Sequence, residues 1–165
     1  MPILPLLHGI PGSGKTTFAL QLERDCNAVR FSPDEWMVAL HGTNPPEALF
    51  RPQHERIMAL VWEHAGRVLR AGCDVVLEGG FWSRSSRDDA RRHAMELGVP
   101  FRLYALHCTV AEARRRVLTR TAAMLPNTLK ITGATFDFLL RQLEPLDLDE
   151  DHVVVESPAF AKLNS

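Results

Sequence analysis

Short apolar runs alternate along the chain with longer segments in which apolar residues recur at helical spacing. The short runs predict five strands, at residues 3–7, 28–31, 75–77, 101–106 and 153–155. The longer segments predict six helices, at residues 15–24, 34–40, 57–69, 85–97, 111–122 and 133–143. Strands and helices that alternate in this way build a parallel sheet with helices on both faces. We therefore predict an α/β fold.

Composition narrows the class of protein. The 165 residues, 45% of them hydrophobic, suit one compact domain over residues 1–165. A formal net charge of −1 gives no sign of a globally basic nucleic-acid binder. Three widely spaced cysteines predict no disulfide framework, and seven histidines show no metal-binding spacing, so we assign the histidines no chemistry. Without a signal sequence or a membrane-length apolar window, we expect a cytoplasmic protein with no membrane contact.

A glycine-rich loop follows the first predicted strand. Residues 9–16, GIPGSGKT, match G-x-x-x-x-G-K-[ST], the Walker A or P-loop pattern. Backbone N–H groups and the N-terminus of the next helix bind phosphate in such a loop, Lys15 adds positive charge, and the Thr16 hydroxyl holds Mg2+. We predict ATP binding through Gly9, Pro11, Gly12, Ser13, Gly14, Lys15, Thr16 and Thr17.

Asp34 is the candidate catalytic base on the side of the phosphate acceptor. It follows the second predicted strand, at the carboxyl edge where open parallel sheets bind ligands, and is suited to accept a hydroxyl proton. Glu35 is the rival carboxylate, and Trp36 is assigned with it to the acceptor pocket. The alternative is that both acids only stabilise the first turn of a helix.

Glu78 ends the third predicted strand and is followed by two glycines. This position resembles that of a Walker B acid, which holds Mg2+ through water; acceptor contact and a plain strand-end carboxylate are the alternatives. Phe81 and Trp82 come next and are predicted to wall the acceptor pocket, although simple packing is the commoner role of such aromatics.

Arginine is concentrated in residues 83–120, which contain nine arginines and four acidic residues. Arg116 and Arg120 lie one helical turn apart, before a lid predicted at about residues 121–130, and are suited to clamp a transferring phosphoryl group. Arg84 and Arg87 are further candidate acceptor contacts. The alternative for such a run is a solvated helix face.

These segments together resemble the small P-loop kinases, a group with polynucleotide 5'-hydroxyl kinases, chloramphenicol phosphotransferase and zeta-toxin-like enzymes. The resemblance extends from residue 3 to residue 155. It implies a three-layer fold with a five-stranded parallel sheet in the order 2-3-1-4-5 and a small lid. It also implies Asp34 as general base, Arg116 and Arg120 as lid arginines, and ATP with Mg2+ as the phosphate donor.

The phosphate acceptor is left open by these motifs. A small hydroxylated molecule is the leading hypothesis, because Met37 stands in the acidic turn where similar polynucleotide kinases carry a basic residue. Glu78, where several relatives have Asp, leaves its contact open between Mg2+ and the acceptor. A polynucleotide 5'-hydroxyl kinase is the alternative, and a nucleotide-dependent switch or ATP-binding module is the alternative from another class. Oligomeric state is not predicted.

Overall fold

A computed structural model describes residues 1–26 and 28–156 of the chain, so residue 27 and residues 157–165 of the predicted domain lie outside it. Its strands are β1 (Leu4–His8), β2 (Val29–Phe31), β3 (Val75–Gly80), β4 (Phe101–His107) and β5 (Val153–Glu156). Its helices are α1 (Lys15–Asp25), α2 (Pro33–His41), α3 (Glu47–Arg70), α4 (Arg84–Glu96), α5 (Val110–Ala122) and α6 (Gly133–Arg141). No helix in this part of the chain is long and apolar enough to cross a membrane.

All five strands form one parallel sheet in the order β2-β3-β1-β4-β5, as the family resemblance implied. β1 lies in the centre, where Leu6 pairs with Leu77 of β3 and with Leu103 of β4. Because the strands are parallel, their carboxyl ends meet at one edge of the sheet. The loop after β1, the turn before α2 and the turn after β3 therefore converge there.

Apolar side chains cover both faces of the central strand. All five residues of β1 are buried, and Leu4 and Leu6 pack in a core with apolar residues of α2, α3 and α4. Leu7 points to the other face, where it joins Ala19 of α1 and Val76 of β3. Burial of each leucine stabilises the fold by about 2 kcal/mol. This continuous burial explains why β1 is an unbroken apolar run and ends sharply at the glycine-rich loop.

The third helix is longer than the sequence pattern predicted. It begins at Glu47, ten residues before the predicted start at residue 57, and contains Pro52. Proline lacks the N–H that an interior helical position donates, yet the helix continues through Pro52. The extra turns extend α3 beside the acidic turn of α2.

The segment predicted as a lid connects α5 to α6 without regular secondary structure of its own. The Thr121 hydroxyl donates to the carbonyl of Ile131 at 3.1 Å and accepts from its N–H at 3.2 Å, which closes the base of the segment. At its end, the Lys130 N–H donates to the Thr43 carbonyl at 2.8 Å. This hydrogen bond joins the segment to the connection between α2 and α3.

Candidate active site

Glycines give the loop after β1 its shape. Gly12 and Gly14 have φ angles of +82° and +97°, in the left-handed region that other residues rarely adopt. A Cβ atom on Gly12 would lie 2.4 Å from the carbonyl oxygen of Ala113, so the loop and α5 are in direct contact. Gly14 caps α1 without a side-chain hydrogen bond, which leaves the first N–H groups of this helix for an anion.

Lys15 is fixed by the loop from which it projects. Its ammonium group donates to the carbonyls of Gly9 and Ile10, each at 2.8 Å. Enclosure by the loop lowers the pKa of Lys15 to about 8, a shift that Asp34 and Glu78 oppose and that Arg120 increases. The ammonium is therefore a charge that the protein solvates poorly and that an anion would stabilise.

Asp34 lies in the first turn of α2 and opens onto a cavity beside the phosphate loop. Although Asp34 is exposed to this cavity, the surrounding protein desolvates its carboxyl and raises its pKa. Electrostatic interactions with His54, Lys15 and Arg120 lower this pKa, and the interaction with Glu35 raises it. An acid in this setting is suited to act as a proton acceptor beside bound phosphate.

Glu78 joins the phosphate loop to β2. Its Oε1 accepts a short hydrogen bond from the Thr16 hydroxyl, and its Oε2 accepts one from Nη1 of Arg30 at 2.8 Å. Glu78 is only 8% exposed, and this burial raises the pKa of its carboxyl, while the bonds from Thr16 and Arg30 oppose the rise. The structure thus brings Thr16 and Glu78 together, and their role in holding a metal stays a prediction.

The two oxygen donors fit Mg2+, which prefers oxygen ligands and keeps several waters or phosphate oxygens in its coordination shell. Within residues 1–26 and 28–156, no group of three or more His, Cys, Asp or Glu side chains could hold a metal alone. Thr16 and Glu78 supply two oxygen donors, and the phosphates of a nucleotide would supply further oxygen ligands to Mg2+.

Two arginines of α5 face the same cavity. Arg116 is held at 2.7 Å by Glu112, and its Nη1 donates to the Gly12 carbonyl at 3.3 Å. Arg120 is half buried, and desolvation lowers its pKa while Asp34 and Glu78 oppose the shift. Its buried Nε has no hydrogen-bond partner among the described residues. Arg120 therefore offers donors to an anionic ligand.

One cavity connects these residues. It has a volume of about 1760 Å3 and is bounded by the phosphate loop, the start of α2, the turn after β3, the α2–α3 connection, α5 and α6. Of the predicted nucleotide contacts, Gly9 and Ser13 are buried beneath the loop, while the others line the cavity. The predicted catalytic and metal residues all line it: Lys15, Thr16, Asp34, Glu78, Arg116 and Arg120.

Phe81 and Trp82 form part of the cavity wall. Phe81 has a φ of +43°, and its carbonyl accepts from Nδ1 of His8 at 3.1 Å and from Arg87 at 3.2 Å. A Cβ atom on Gly79 would lie 2.8 Å from the Phe81 ring, and one on Gly80 would lie 2.6 Å from the Trp82 indole nitrogen. The two glycines before these aromatics therefore give both rings room to fold back over the strand end.

Four predicted acceptor contacts do not line the cavity: Glu35, Trp36, Arg84 and Arg87. Arg87 is fully buried and pairs through Nε and Nη2 with Glu150, both at 2.8 Å. Arg84 pairs with Asp88 at 2.9 Å and with Asp149 at 2.8 Å. Both side chains are committed to ion pairs within the protein, so we correct their assignment to the acceptor.

Glu35 and Trp36, the two residues after Asp34, also contact other parts of the protein and do not line the cavity. Both carboxylate oxygens of Glu35 accept from Nη2 of Arg30 at 2.9 Å. Trp36 packs edge-on against Phe31 and His64, beside the core rather than the cavity. Of these two neighbours of Asp34, one anchors the turn to β2 and the other anchors it to α3.

Several residues at the site were not predicted. Arg30 links Glu78 to Glu35, and its place in β2, the strand beside β3 that carries Glu78, was the available signal. His54 stacks on Phe50 with 5.9 Å between ring centroids, lines the cavity, and acts electrostatically on Asp34. Phe50 and His54 lie in the first turns of α3, the part of the helix that the sequence pattern did not reveal.

The sheet order and the phosphate loop define a kinase-like P-loop fold of the nucleotide-binding class. The chain belongs to the AAA domain family, whose AAA_33 model matches residues 4–146. No curated protein matches the sequence closely enough to count as a relative.

Solved structures share this fold. A candidate kinase from Chloroflexus aurantiacus is 18% identical, with a TM-score of 0.75 and coverage of 94% of this chain and 88% of that one. A gluconokinase from Sinorhizobium meliloti is 21% identical, with a TM-score of 0.64 and coverage of 94% and 83%. A chain of the Pnkp1/Rnl/Hen1 RNA repair complex is 25% identical, with a TM-score of 0.70 and coverage of 86% and 44%.

Proposed function

We propose that the protein is an ATP-dependent kinase that transfers the γ-phosphate to a hydroxyl group of a small molecule. The observation that carries this proposal is the shared cavity onto which Lys15, Asp34 and Arg120 all open. A phosphate-binding loop alone would serve a switch equally well. A carboxylate that the protein desolvates, in the same cavity as that loop and as Arg120, whose buried Nε has no hydrogen-bond partner within the described part of the chain, suits transfer to a hydroxyl.

The size of the cavity supports two ligands. Pockets for one drug-sized molecule typically measure about 300–1000 Å3. The cavity here has about 1760 Å3 and extends from the phosphate loop to Thr43, Phe50 and Met58 near α3. A nucleotide on the loop would leave the α2–α3 side for an acceptor. This room is expected of a kinase that holds donor and acceptor together.

In the proposed reaction, an acceptor hydroxyl oxygen forms a bond to the γ-phosphorus while the bond from that phosphorus to the bridging oxygen breaks. ADP leaves with the electron pair, and the hydroxyl proton passes to the Asp34 carboxylate. Lys15 and the N-terminus of α1 hold the phosphates, and Arg120 stabilises the oxygens of the group in transfer. Mg2+, held with Thr16 and Glu78, would neutralise phosphate charge when bound.

Met37 supports a small acceptor over a polynucleotide. The side chain is fully buried in the core, so the third residue after Asp34 presents no cation to the cavity. The net charge of −1 likewise gives no sign of a globally basic protein that would bind a phosphate backbone. A polynucleotide 5'-hydroxyl kinase is the second candidate, because the chain shares its fold and 25% identity with a chain of an RNA repair complex.

The test is ADP release from Mg2+-ATP with a panel of sugars, sugar acids, nucleosides, hydroxylated antibiotics and 5'-hydroxyl oligonucleotides. We expect one class to stimulate release, and Asp34→Asn to reduce that rate about 100-fold or more. Lys15→Ala should remove it through loss of phosphate binding, whereas Asp151→Asn, an exposed acid remote from the cavity, should not change it. A reaction that Asp34→Asn leaves intact would overturn the assignment of the base.

If ATP binds but no acceptor stimulates ADP release, the hypothesis of a nucleotide-dependent switch or ATP-binding module would be favoured. Stimulation by oligonucleotides alone would favour the second candidate. The proposal also implies a cytoplasmic location, where ATP is available, and three free cysteines accord with a reducing compartment.

A further inference from the structure

The carbonyl oxygen of Gly9 receives two hydrogen bonds from different parts of the chain. Lys15 donates to it through Nζ at 2.8 Å, and Trp82 donates to it through the indole N–H at 3.0 Å. A carbonyl oxygen has two lone pairs, so both bonds can exist at once. Gly9 is buried, and a buried carbonyl is costly to leave without a partner.

Lys15 depends on this carbonyl for its direction. Two of its three N–H groups are taken by the carbonyls of Gly9 and Ile10, which leaves the third for a phosphate oxygen. A rotation of the Gly9 carbonyl would change the direction of the whole ammonium group. The indole N–H is the second donor that holds this carbonyl in place.

Trp82 is itself held firmly. Its carbonyl accepts from the Glu144 N–H at 2.9 Å and from Nη1 of Arg87 at 3.1 Å. Arg87 is in turn fixed by its buried pair with Glu150. The indole can occupy this position only because Gly80 has no side chain. A Cβ atom on Gly80 would lie 2.6 Å from the indole nitrogen.

We propose that Trp82 is a positioning residue for nucleotide binding, whose indole N–H fixes the Gly9 carbonyl that orients Lys15. The proposal rests on nucleotide binding by the phosphate loop, which is part of the proposed function, and is independent of the acceptor. The effect of Trp82 on nucleotide affinity should therefore depend on Lys15. A residue that only lines the cavity would act on the nucleotide without Lys15.

A double-mutant cycle on the affinity for Mg2+-ATP, measured by calorimetry, tests this coupling. Trp82→Phe keeps an aromatic ring but removes the donor, and should weaken binding about three- to ten-fold, the usual effect of one lost hydrogen bond. In a Lys15→Met background the same change should have no further effect. Trp62→Phe is the matched control, because Trp62 is a partly buried core residue that does not line the cavity, and should bind ATP as the wild type does.

Gly80→Ala provides a second route, since it displaces the indole without removing it. It should weaken binding in the wild-type background and leave Lys15→Met unchanged. Wild-type affinity in both Trp82→Phe and Gly80→Ala, or losses that add to that of Lys15→Met, would overturn the proposal while nucleotide binding stands. A wild-type protein that does not bind ATP would overturn both this inference and the proposed function.

Discussion

Arg30 and Glu78 form an ion pair at 2.8 Å between neighbouring strands, with side chains only 12% and 7% exposed. The same guanidinium holds Glu35, next to Asp34, at 2.9 Å. Arg30 therefore connects the strand end proposed for Mg2+ to the turn that carries the proposed base. Burial raises the pKa of the Glu78 carboxyl, and the hydrogen bond and the charge of Arg30 oppose that rise.

Removal of this cation should destabilise the protein. Arg30→Met leaves a buried carboxylate without its charged partner, which should reduce the free energy of unfolding by about 3 kcal/mol. The effect is measured by urea denaturation. Arg67→Met is the control: Arg67 pairs with Glu63 on an exposed face of α3, and its loss should cost about 0.5 kcal/mol or less. Equal losses in the two variants would mean that burial of the Arg30 pair contributes nothing.

The contact between Gly12 and α5 predicts a local effect on nucleotide binding. Gly12→Ala places a Cβ atom 2.4 Å from the Ala113 carbonyl, so the loop must move, and affinity for ATP should fall about ten-fold or more. Gly72→Ala is the matched control, because Gly72 also has a positive φ, +90°, but apart from its chain neighbours no atom of the described residues would lie within 4 Å of the new Cβ atom.

Both alanine variants carry backbone strain of about 1 kcal/mol. Only Gly12→Ala should weaken ATP binding, as measured by calorimetry at a temperature where both variants are folded. ATP affinities that fall equally in the two variants would show that backbone strain, and not contact with α5, is responsible.

The lowered pKa of Lys15 predicts a pH dependence of ATP affinity. The ammonium is charged below its pKa of about 8 and neutral above it, and bound phosphate favours the charged form. Affinity should therefore be nearly constant below about pH 7, be about halved near pH 8, and then fall by up to about ten-fold per pH unit. Calorimetric titrations across this range measure the change. Lys15→Met should bind weakly without this fall, and a fall that persists in the variant would assign it to another group.

Arg87 and Glu150 should matter for folding and not for recognition of the acceptor. Both side chains are fully buried, so Glu150→Gln should lower the free energy of unfolding by about 3 kcal/mol. Asp149→Asn, which disrupts an exposed pair with Arg84, should change it far less, because solvent screens that pair. Thermal unfolding compares the two. If Arg87→Lys raised KM for the acceptor at unchanged stability, the residue would have to be returned to the acceptor site.

Local patterns were sufficient for most of the fold. Each predicted strand and helix overlaps an observed one, because buried strands of a parallel sheet are continuous apolar runs and helices show their own period. The start of α3 was missed because Pro52 and a run of polar residues concealed it. The phosphate loop was recognisable because its chemistry lies in eight consecutive residues.

The acceptor side was harder, because the roles there depend on partners far apart in sequence. Arg87 could only be separated from a ligand contact by its pairing with Glu150, 63 residues away. Glu35 and Trp36 lie beside Asp34 in sequence, but successive helical residues point in different directions. Asp34 lines the cavity, whereas Glu35 pairs with Arg30 and Trp36 packs against the core.

Phosphate transfer to a small hydroxylated acceptor can be tested by mass spectrometry of the reaction products, which detects the phosphorylated acceptor itself. Wild-type protein, Mg2+-ATP and the panel of candidate acceptors are incubated together, and both ADP and phosphorylated acceptor are quantified. We expect one phosphate ester formed in equal amount to ADP, with both products lost in Asp34→Asn. ADP accompanied by inorganic phosphate, with no phosphorylated acceptor, would contradict this expectation.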